Sequence, residues 1–381
     1  MNLAFSVSPR INRIAVSVFF FIAGLTFATW ASRIPDIKEK LQLSEAGLGS
    51  VLFALPMGLM ASLLLTGWLI GRFGSRRVVI GSALAYPAIL ILLGLASTTF
   101  QLVVGLFFFG LIANFVNIAM NTQAVGVEGM YGRSIMASFH GLWSLAGFTG
   151  ATIANFFVSG GISPFLHFVI VAIACGLLVL VSYKSTLPSN TDVKSNQPIF
   201  VRPDKYIFIL GLIAFCCMVC EGAMADWSGV YFKKVVETPA AYITLGYVAF
   251  TGTMATGRFL GDWLVTKFGV KRMLQMSGTL IASGLLLAVF FPNLITATAG
   301  FLLVGFGVSS VVPIAYGLAG KSTTMSPGMA LSAVSTIGFL GFLIGPPLIG
   351  FIAEASSLRI SFALIALLGF GTSILAGKVR Q

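Results

Sequence analysis

Charge is what this sequence has least of. Only 9% of its 381 residues are Asp, Glu, Lys or Arg, against roughly 25% in a soluble domain, too few to cover a water-facing surface. That excludes an ordinary soluble protein. Histidine is nearly absent: His140 and His167 lie in separate apolar runs. Neither has a cysteine or paired carboxylates nearby, so no nucleophile–base or metal constellation can be assembled. The sequence implies no enzyme, no cofactor and no metal. A phosphate loop is missing as well, because "GLGSVLFALPMG" lacks the Lys-Ser/Thr that would follow it. ATP therefore does not drive the chain directly unless a partner supplies the motor. The four cysteines, Cys175, Cys216, Cys217 and Cys220, all fall in apolar runs with no second ligand pair, and they read as small apolar filler.

What fills the chain is hydrocarbon. Hydrophobic residues make up 57% of it. Runs such as "RIAVSVFFFIAGLTFATWA" and "FALIALLGFGTSILAG" approach the roughly 20 residues needed to cross a bilayer core. About twelve such runs follow one another, most of them joined by short loops. The first, starting near Ile14, is too long for a signal-peptide core and has no small-residue cleavage site, so it is expected to stay as a span. The net charge of +12 is not a nucleic-acid signal. With the N-terminus inside, only Arg33, Lys38, Lys40, Lys233, Lys234 and Arg359 fall outside, and Arg258 sits within a span. The other 16 of the 23 Lys and Arg face the cytoplasm. This positive-inside bias places both termini in the cytoplasm. The expected partners are lipid, a small-molecule substrate and a proton, with no nucleic acid; nothing requires an oligomer, and a monomer is expected.

One stretch breaks the apolar rhythm: "KSTLPSNTDVKSNQPIFVRPDK", Lys184 to Lys205, polar and holding three prolines. It reads as a cytoplasmic linker, residues 184–205, between six-helix bundles at 1–183 and 206–381. The halves echo each other. "GWLIGRFGSRR" (Gly67 to Arg77) aligns without gaps onto "DWLVTKFGVKR" (Asp262 to Arg272), 195 residues later. A weaker echo pairs Trp30 with Trp227. Two repeated halves around a central cavity is a transporter plan, with the substrate site near the mid-membrane.

The first copy of that loop resembles the signature between spans 2 and 3 of the major facilitator superfamily, Gly-x-x-x-Asp-Arg-x-Gly-x-Arg-Arg. Here it reads Gly67-x-x-x-Gly71-Arg72-x-Gly74-x-Arg76-Arg77. The signature Asp is replaced by Gly71, and by Thr266 in the second copy, so the acid of the usual charge latch of the inside-closed state is missing. "NIAMNTQAVGVE", "SFHGLWSLAG", "EGAMADW", "GRFLGDWL" and "GFLIGPPLIG" further resemble the fucose-permease-like branch, which includes bacterial inner-membrane transporters. The resemblance implies an all-α polytopic membrane protein of twelve transmembrane helices in two pseudo-symmetric six-helix bundles, in a bacterial inner membrane. In fucose permease the important acids lie in spans 1 and 4. Those spans have none in their middle here, so L-fucose itself is not carried over.

Polar groups inside spans are costly, so each is a candidate site with a duller alternative. In span 4, Asn114, Asn117 and Asn121 share a helix face, with Glu128 at its end. They either line a wet cavity or pair helices; Glu128 is expected to bridge Arg133. His140, Trp143, Ser144 and Gly147 share a face of span 5, where His140 contacts substrate or proton or is held by backbone. Span 1 ends in Thr26, Thr29, Trp30 and Arg33. Trp30 and Arg33 suit an interfacial belt, with substrate contact as the alternative. The expected gating network is Arg72, Arg76, Arg77, Lys267 and Arg272 with Arg258 and Asp262, the last two an i, i+4 pair in span 8.

In span 7, "CEGAMADWSGVY" holds Glu221 and Asp226. Five residues turn a helix by about 500°, so unless it breaks at Gly222 the two carboxylates point apart. Asp226, beside Trp227 and Tyr231, reads partly as a boundary residue. Glu221 lies deeper, among Cys, Met, Ala and Gly, where an acid can exist protonated. It is the first candidate for proton coupling, with Asp226 the second, and is also a candidate for substrate binding; its alternative is a neutral acid bonded to another helix. The sequence thus predicts a secondary active transporter working by alternating access, a proton-coupled symporter taking up a small polar solute such as a sugar or related metabolite. The alternatives are proton-driven efflux of amphipathic compounds, against which span 5 lacks the antiporter proline, and a non-transporting receptor.

Overall fold

The computed structural model describes residues 8–132, 135–188 and 203–379, and they are helical almost throughout. Before the linker come α1 (Pro9–Ala31), α2 (Ile34–Lys40), α3 (Glu45–Leu52), α4 (Ala54–Leu95), α5 (Thr99–Tyr131), α6 (Met136–Ser159) and α7 (Pro164–Ser182). After it come α8 (Lys205–Lys234), α9 (Leu245–Phe268), α10 (Val270–Phe290), α11 (Leu294–Val308), α12 (Val311–Ala319), α13 (Pro327–Ala355) and α14 (Leu358–Ala376). Eleven helical stretches among the described residues are long and apolar enough to cross a membrane. The remaining helix of crossing length is α9, whose 24 residues would span about 36 Å. Arg258, Asp262 and Lys267 make it too polar to be found by hydropathy alone. The linker's residues 189–202 lie outside the described residues, as do Arg133 and Arg380.

Two compact units form. One draws on the described parts of residues 1–30, 54–150 and 162–194, the other on 31–53, 151–161 and 195–381. In the first, α4 lies along α5, and Phe19, Phe20, Phe109, Phe139 and Phe168 are fully buried. Gln123 of α5 donates to Ser75 Oγ (2.8 Å) and to the carbonyl of Leu187 (3.2 Å), and accepts from the Leu187 N–H (2.8 Å), tying down the start of the linker. In the second, α8 is the centre, covered by α13, α14, α12 and α9. Tyr231 donates to the carbonyl of Ala288 at 2.9 Å and stacks on Phe362.

The sequence repeat is also a repeat of conformation. Gly74 has φ 79° and ψ 152°, and its counterpart Gly269 has φ 77° and ψ 157°. Positive φ of this kind is cheap only for glycine. Each glycine therefore compresses the expected inter-span loop to one residue. Over the preceding turn, the Arg72 guanidinium sits 5.6 Å from the Trp68 ring and 5.8 Å from Phe73. The Lys267 ammonium sits 5.0 Å from Trp263 and 5.4 Å from Phe268. The two copies thus build the same cation–aromatic cluster.

In the second unit, α2 and α3 pack on helices from the other half of the sequence. Lys233 pairs with Glu39, and Lys234 with Glu45, which Lys38 also approaches at 3.6 Å. The carboxylate of Glu354, on α13, accepts from the backbone N–H groups of Glu45 (3.0 Å) and Ala46 (3.3 Å), capping α3. The hydrogen bond and charge of Lys233 hold the Glu39 carboxyl below its ordinary carboxylate range. A depressed carboxyl stabilises the fold above its unfolded pKa, and that stabilisation disappears as pH falls through the folded one. Glu39 is 71% exposed, so solvent screening limits the pair to within about 1 kcal/mol. Lys233→Ala is expected to lower the melting temperature slightly at neutral pH and low salt. The difference should vanish in high salt or strong acid; a decrement that ignores both would show that the pair is not what Lys233 contributes.

Candidate functional site

Glu221 lies in an unbroken stretch of α8, so Gly222 does not redirect it. It is not the lone acid that its sequence neighbours suggest. Arg258 of α9 places Nη2 3.5 Å from its Oε1, with the two side chains 18% and 14% exposed. The guanidinium comes from a different helix, which local sequence does not reveal. Asp226, further along α8, is half-buried. Tyr247 of α9 lies within electrostatic reach of both carboxylates, and Tyr316 of α12 within reach of Glu221.

The same region holds a helix break. The tenth apolar run folds as α11 and α12, separated at Ser309 and Ser310. That break lies directly against Arg258's stretch of α9. A Cβ on Gly257 would stand 2.3 Å from Ser309 Oγ, and one on Gly261 3.3 Å from Ser310 Oγ. Cys217, one turn before Glu221, donates to the Val308 carbonyl at the break (3.7 Å). Tyr316, Tyr247 and the Ser309–Ser310 break were not among the sequence candidates. "SSVVPIAYG", with its paired serines and Pro313 inside an apolar run, was the available signal.

The other candidates separate. Asn114 donates to Ser62 Oγ at 2.6 Å and is 4% exposed, the geometry of helix packing. Asn117 is exposed, and Asn121 donates to its side-chain oxygen at 3.0 Å. His140 is exposed and meets Phe20 edge-on, while Trp143 stacks on Phe27. Glu128 accepts from the N–H groups of Ile135 (2.7 Å) and Met136 (2.9 Å), so it caps α6; its expected partner Arg133 lies outside the described residues. Trp30 and Arg33 correct the interfacial-belt reading, and Trp227 and Tyr231, beside Asp226, are covered in the same way. All four are at most 1% exposed and form core, Arg33 pairing with Asp36 at 3.3 Å. Large aromatic area repays burial better than exposure when neighbouring helices can cover it.

Among the basic candidates, Arg76 donates to the carbonyls of Tyr183 (3.2 Å) and Lys184 (3.4 Å), capping the end of the α7 segment. Arg72 and Lys267 hold the two aromatic clusters described above. Arg77, Asp262 and Arg272 are exposed.

Comparison with known proteins agrees with this architecture. The Major Facilitator Superfamily model matches residues 15–323 and 236–380. An uncharacterized MFS-type transporter of Yersinia pestis is 34% identical over 364 residues, covering 95% of this chain and 94% of that protein. An uncharacterized transporter of Sinorhizobium fredii is 32% identical, covering 96% and 97%. The crystal structure of the nucleoside transporter NupG superposes with a TM-score of 0.75 at 13% identity, covering 97% of this chain and 99% of that one, a likeness of fold. Helical membrane spans, a duplicated loop with duplicated backbone geometry and near-full-length relatives converge: the chain belongs to the Major Facilitator Superfamily, as an integral membrane transporter and not an enzyme.

Proposed function

We propose that this transporter is a proton-coupled importer of a small polar solute in a bacterial inner membrane, with both termini cytoplasmic and Glu221 as the proton carrier. The observation that carries the reading is the Glu221–Arg258 pair, a carboxylate and a guanidinium partly buried within helices that span the membrane. Protonating Glu221 would release Arg258, so the proton would change the charge of the site and not merely occupy it. Tyr247, within electrostatic reach of both Glu221 and Asp226, would feel that change. Asn117, Asn121, His140 and Trp143 are the first unit's candidates for solute contact; their amides, imidazole and ring suit a polar metabolite. The absence of the antiporter proline from span 5 favours uptake over efflux.

The test is transport in proteoliposomes. Glu221→Gln is expected to abolish uphill accumulation driven by a pH gradient while sparing solute exchange, because exchange needs no net proton movement. Uphill uptake by that variant at the wild-type level would remove Glu221 from the coupling step.

A further inference from the structure

We propose that each copy of the repeated loop is a docking surface for the headgroup of an anionic phospholipid. Its phosphate is drawn to Arg72 and Arg77 in the first copy and to Lys267 and Arg272 in the second. This role is separate from proton coupling at Glu221.

Both copies hold charge that the protein leaves unbalanced. Gly67 to Arg77 carries three arginines and no acid; Asp262 to Arg272 carries three cations and one acid, Asp262. Arg76 is engaged by the carbonyls of Tyr183 and Lys184. Among the described residues, no carboxylate comes within ion-pair distance of Arg72, Arg77, Lys267, Lys271 or Arg272. All of these but the half-buried Lys271 are exposed. Nor do the helices gain from them. Lys271 and Arg272 stand in the first turn of α10, which has no acidic residue, although a helix N-terminus favours anions over cations. Cations kept against that preference call for an anion from outside the chain.

The apolar neighbours say which anion. Leu65, Trp68 and Arg72 follow one another at helical spacing on α4, as Phe259, Trp263 and Lys267 do on α9. Trp68 and Trp263 are 57% and 58% exposed, and Leu65 and Phe259 are exposed with them. Each surface is therefore an apolar strip along the end of a membrane span with cations one turn beyond it. A soluble phosphate or a nucleic acid would use the cations and leave the strip bare. A phospholipid covers both, its chain along the strip and its phosphate over the cations. The rings also fix the cations in place: Arg72 lies over Trp68 and Phe73, and Lys267 over Trp263 and Phe268. An exposed tryptophan at the end of a span suits headgroup depth. Phosphatidylcholine brings a cation of its own, which these side chains repel, whereas phosphatidylglycerol brings negative charge alone. Each basic side chain near the surface strengthens anionic-lipid binding about fivefold. On the orientation proposed above, the lipids are those of the cytoplasmic leaflet.

Native mass spectrometry of the purified full chain counts bound lipids directly, with phosphatidylglycerol, phosphatidylcholine and glycerol 3-phosphate as probes. Two phosphatidylglycerol molecules are expected to bind ahead of any others, about tenfold or more tighter than phosphatidylcholine. Arg72→Gln should weaken one of them about fivefold and leave the other, Lys267→Gln should do the converse, and the double variant should weaken both. Arg77→Gln is a second test of the first surface, should Arg72→Gln disturb the packing of Trp68. Trp68→Ala keeps every charge and should still weaken the first lipid, which charge attraction alone does not predict. Lys321→Gln is the control, because Lys321 is exposed and lies outside both copies; it should leave both lipids in place. The proposal is overturned if phosphatidylcholine binds as tightly as phosphatidylglycerol, or if Lys321→Gln costs as much as Arg72→Gln. It is overturned too if glycerol 3-phosphate displaces the lipid at equal concentration, since the site would then serve a soluble phosphate.

Discussion

Neutralising one member of the Glu221–Arg258 pair is expected to destabilise the protein far more than neutralising both. Removing a single partner from a buried ion pair costs about 3–5 kcal/mol, because the charge left behind loses its counter-charge away from bulk water. Here the side chains keep 14% and 18% of their exposure, which points to the lower end, about 3 kcal/mol. In Arg258→Gln the stranded carboxylate can take up a proton, which softens the loss as pH falls. Glu221→Gln has no such escape, since the guanidinium stays charged. The double variant places two amides across the same gap and strands no charge, so its cost should stay within about 1 kcal/mol of wild type. Thermal melts in one detergent at neutral pH would give the double-mutant cycle. Additive losses would mean that the 3.5 Å contact carries no coupling energy.

How much of this was legible in the sequence depended on whether the information was local or repeated. The span count came within one helix of the composition criterion, and the exception, α9, is the helix that carries Arg258 and Asp262. The repeat at Gly67 to Arg77 was readable because loop geometry is written in short motifs. Two glycines at positive φ and two cation–Trp–Phe clusters have the same local cause in both copies. Glu221 was legible as an anomaly. Its partner was not, because 37 residues separate it from Arg258 and helix periodicity links only near neighbours. For the same reason Trp30 and Arg33 looked interfacial: their place at the end of an apolar run is local, but the helices that bury them come from elsewhere in the chain. Asn114 shows the converse. Its spacing matched Asn117 and Asn121, but Ser62 on the adjacent helix took its amide.

The second large prediction follows from a close backbone approach made within "GFLIGPPLIG", Gly341 to Gly350. A Cβ on Gly350 would lie 2.5 Å from the Glu45 carbonyl oxygen and 3.0 Å from the Gly49 Cα, and one on Gly49 would lie 2.7 Å from the Pro346 oxygen. These are backbone atoms, so no rotamer change relieves the overlap, and Gly350→Val must push α3 away from α13. The direct cost of such overpacking is about 1–3 kcal/mol. Separation also breaks the hydrogen bonds from the Glu45 and Ala46 N–H groups to Glu354, a cap worth roughly 0.5–2 kcal/mol. The expected result is a clear fall in melting temperature together with faster amide exchange confined first to residues 45–52. Gly176→Ala is the control, since its Cβ would meet nothing within 4 Å and its helix should be unharmed. A Gly350→Val protein that melts like wild type would show that α3 is not seated on α13.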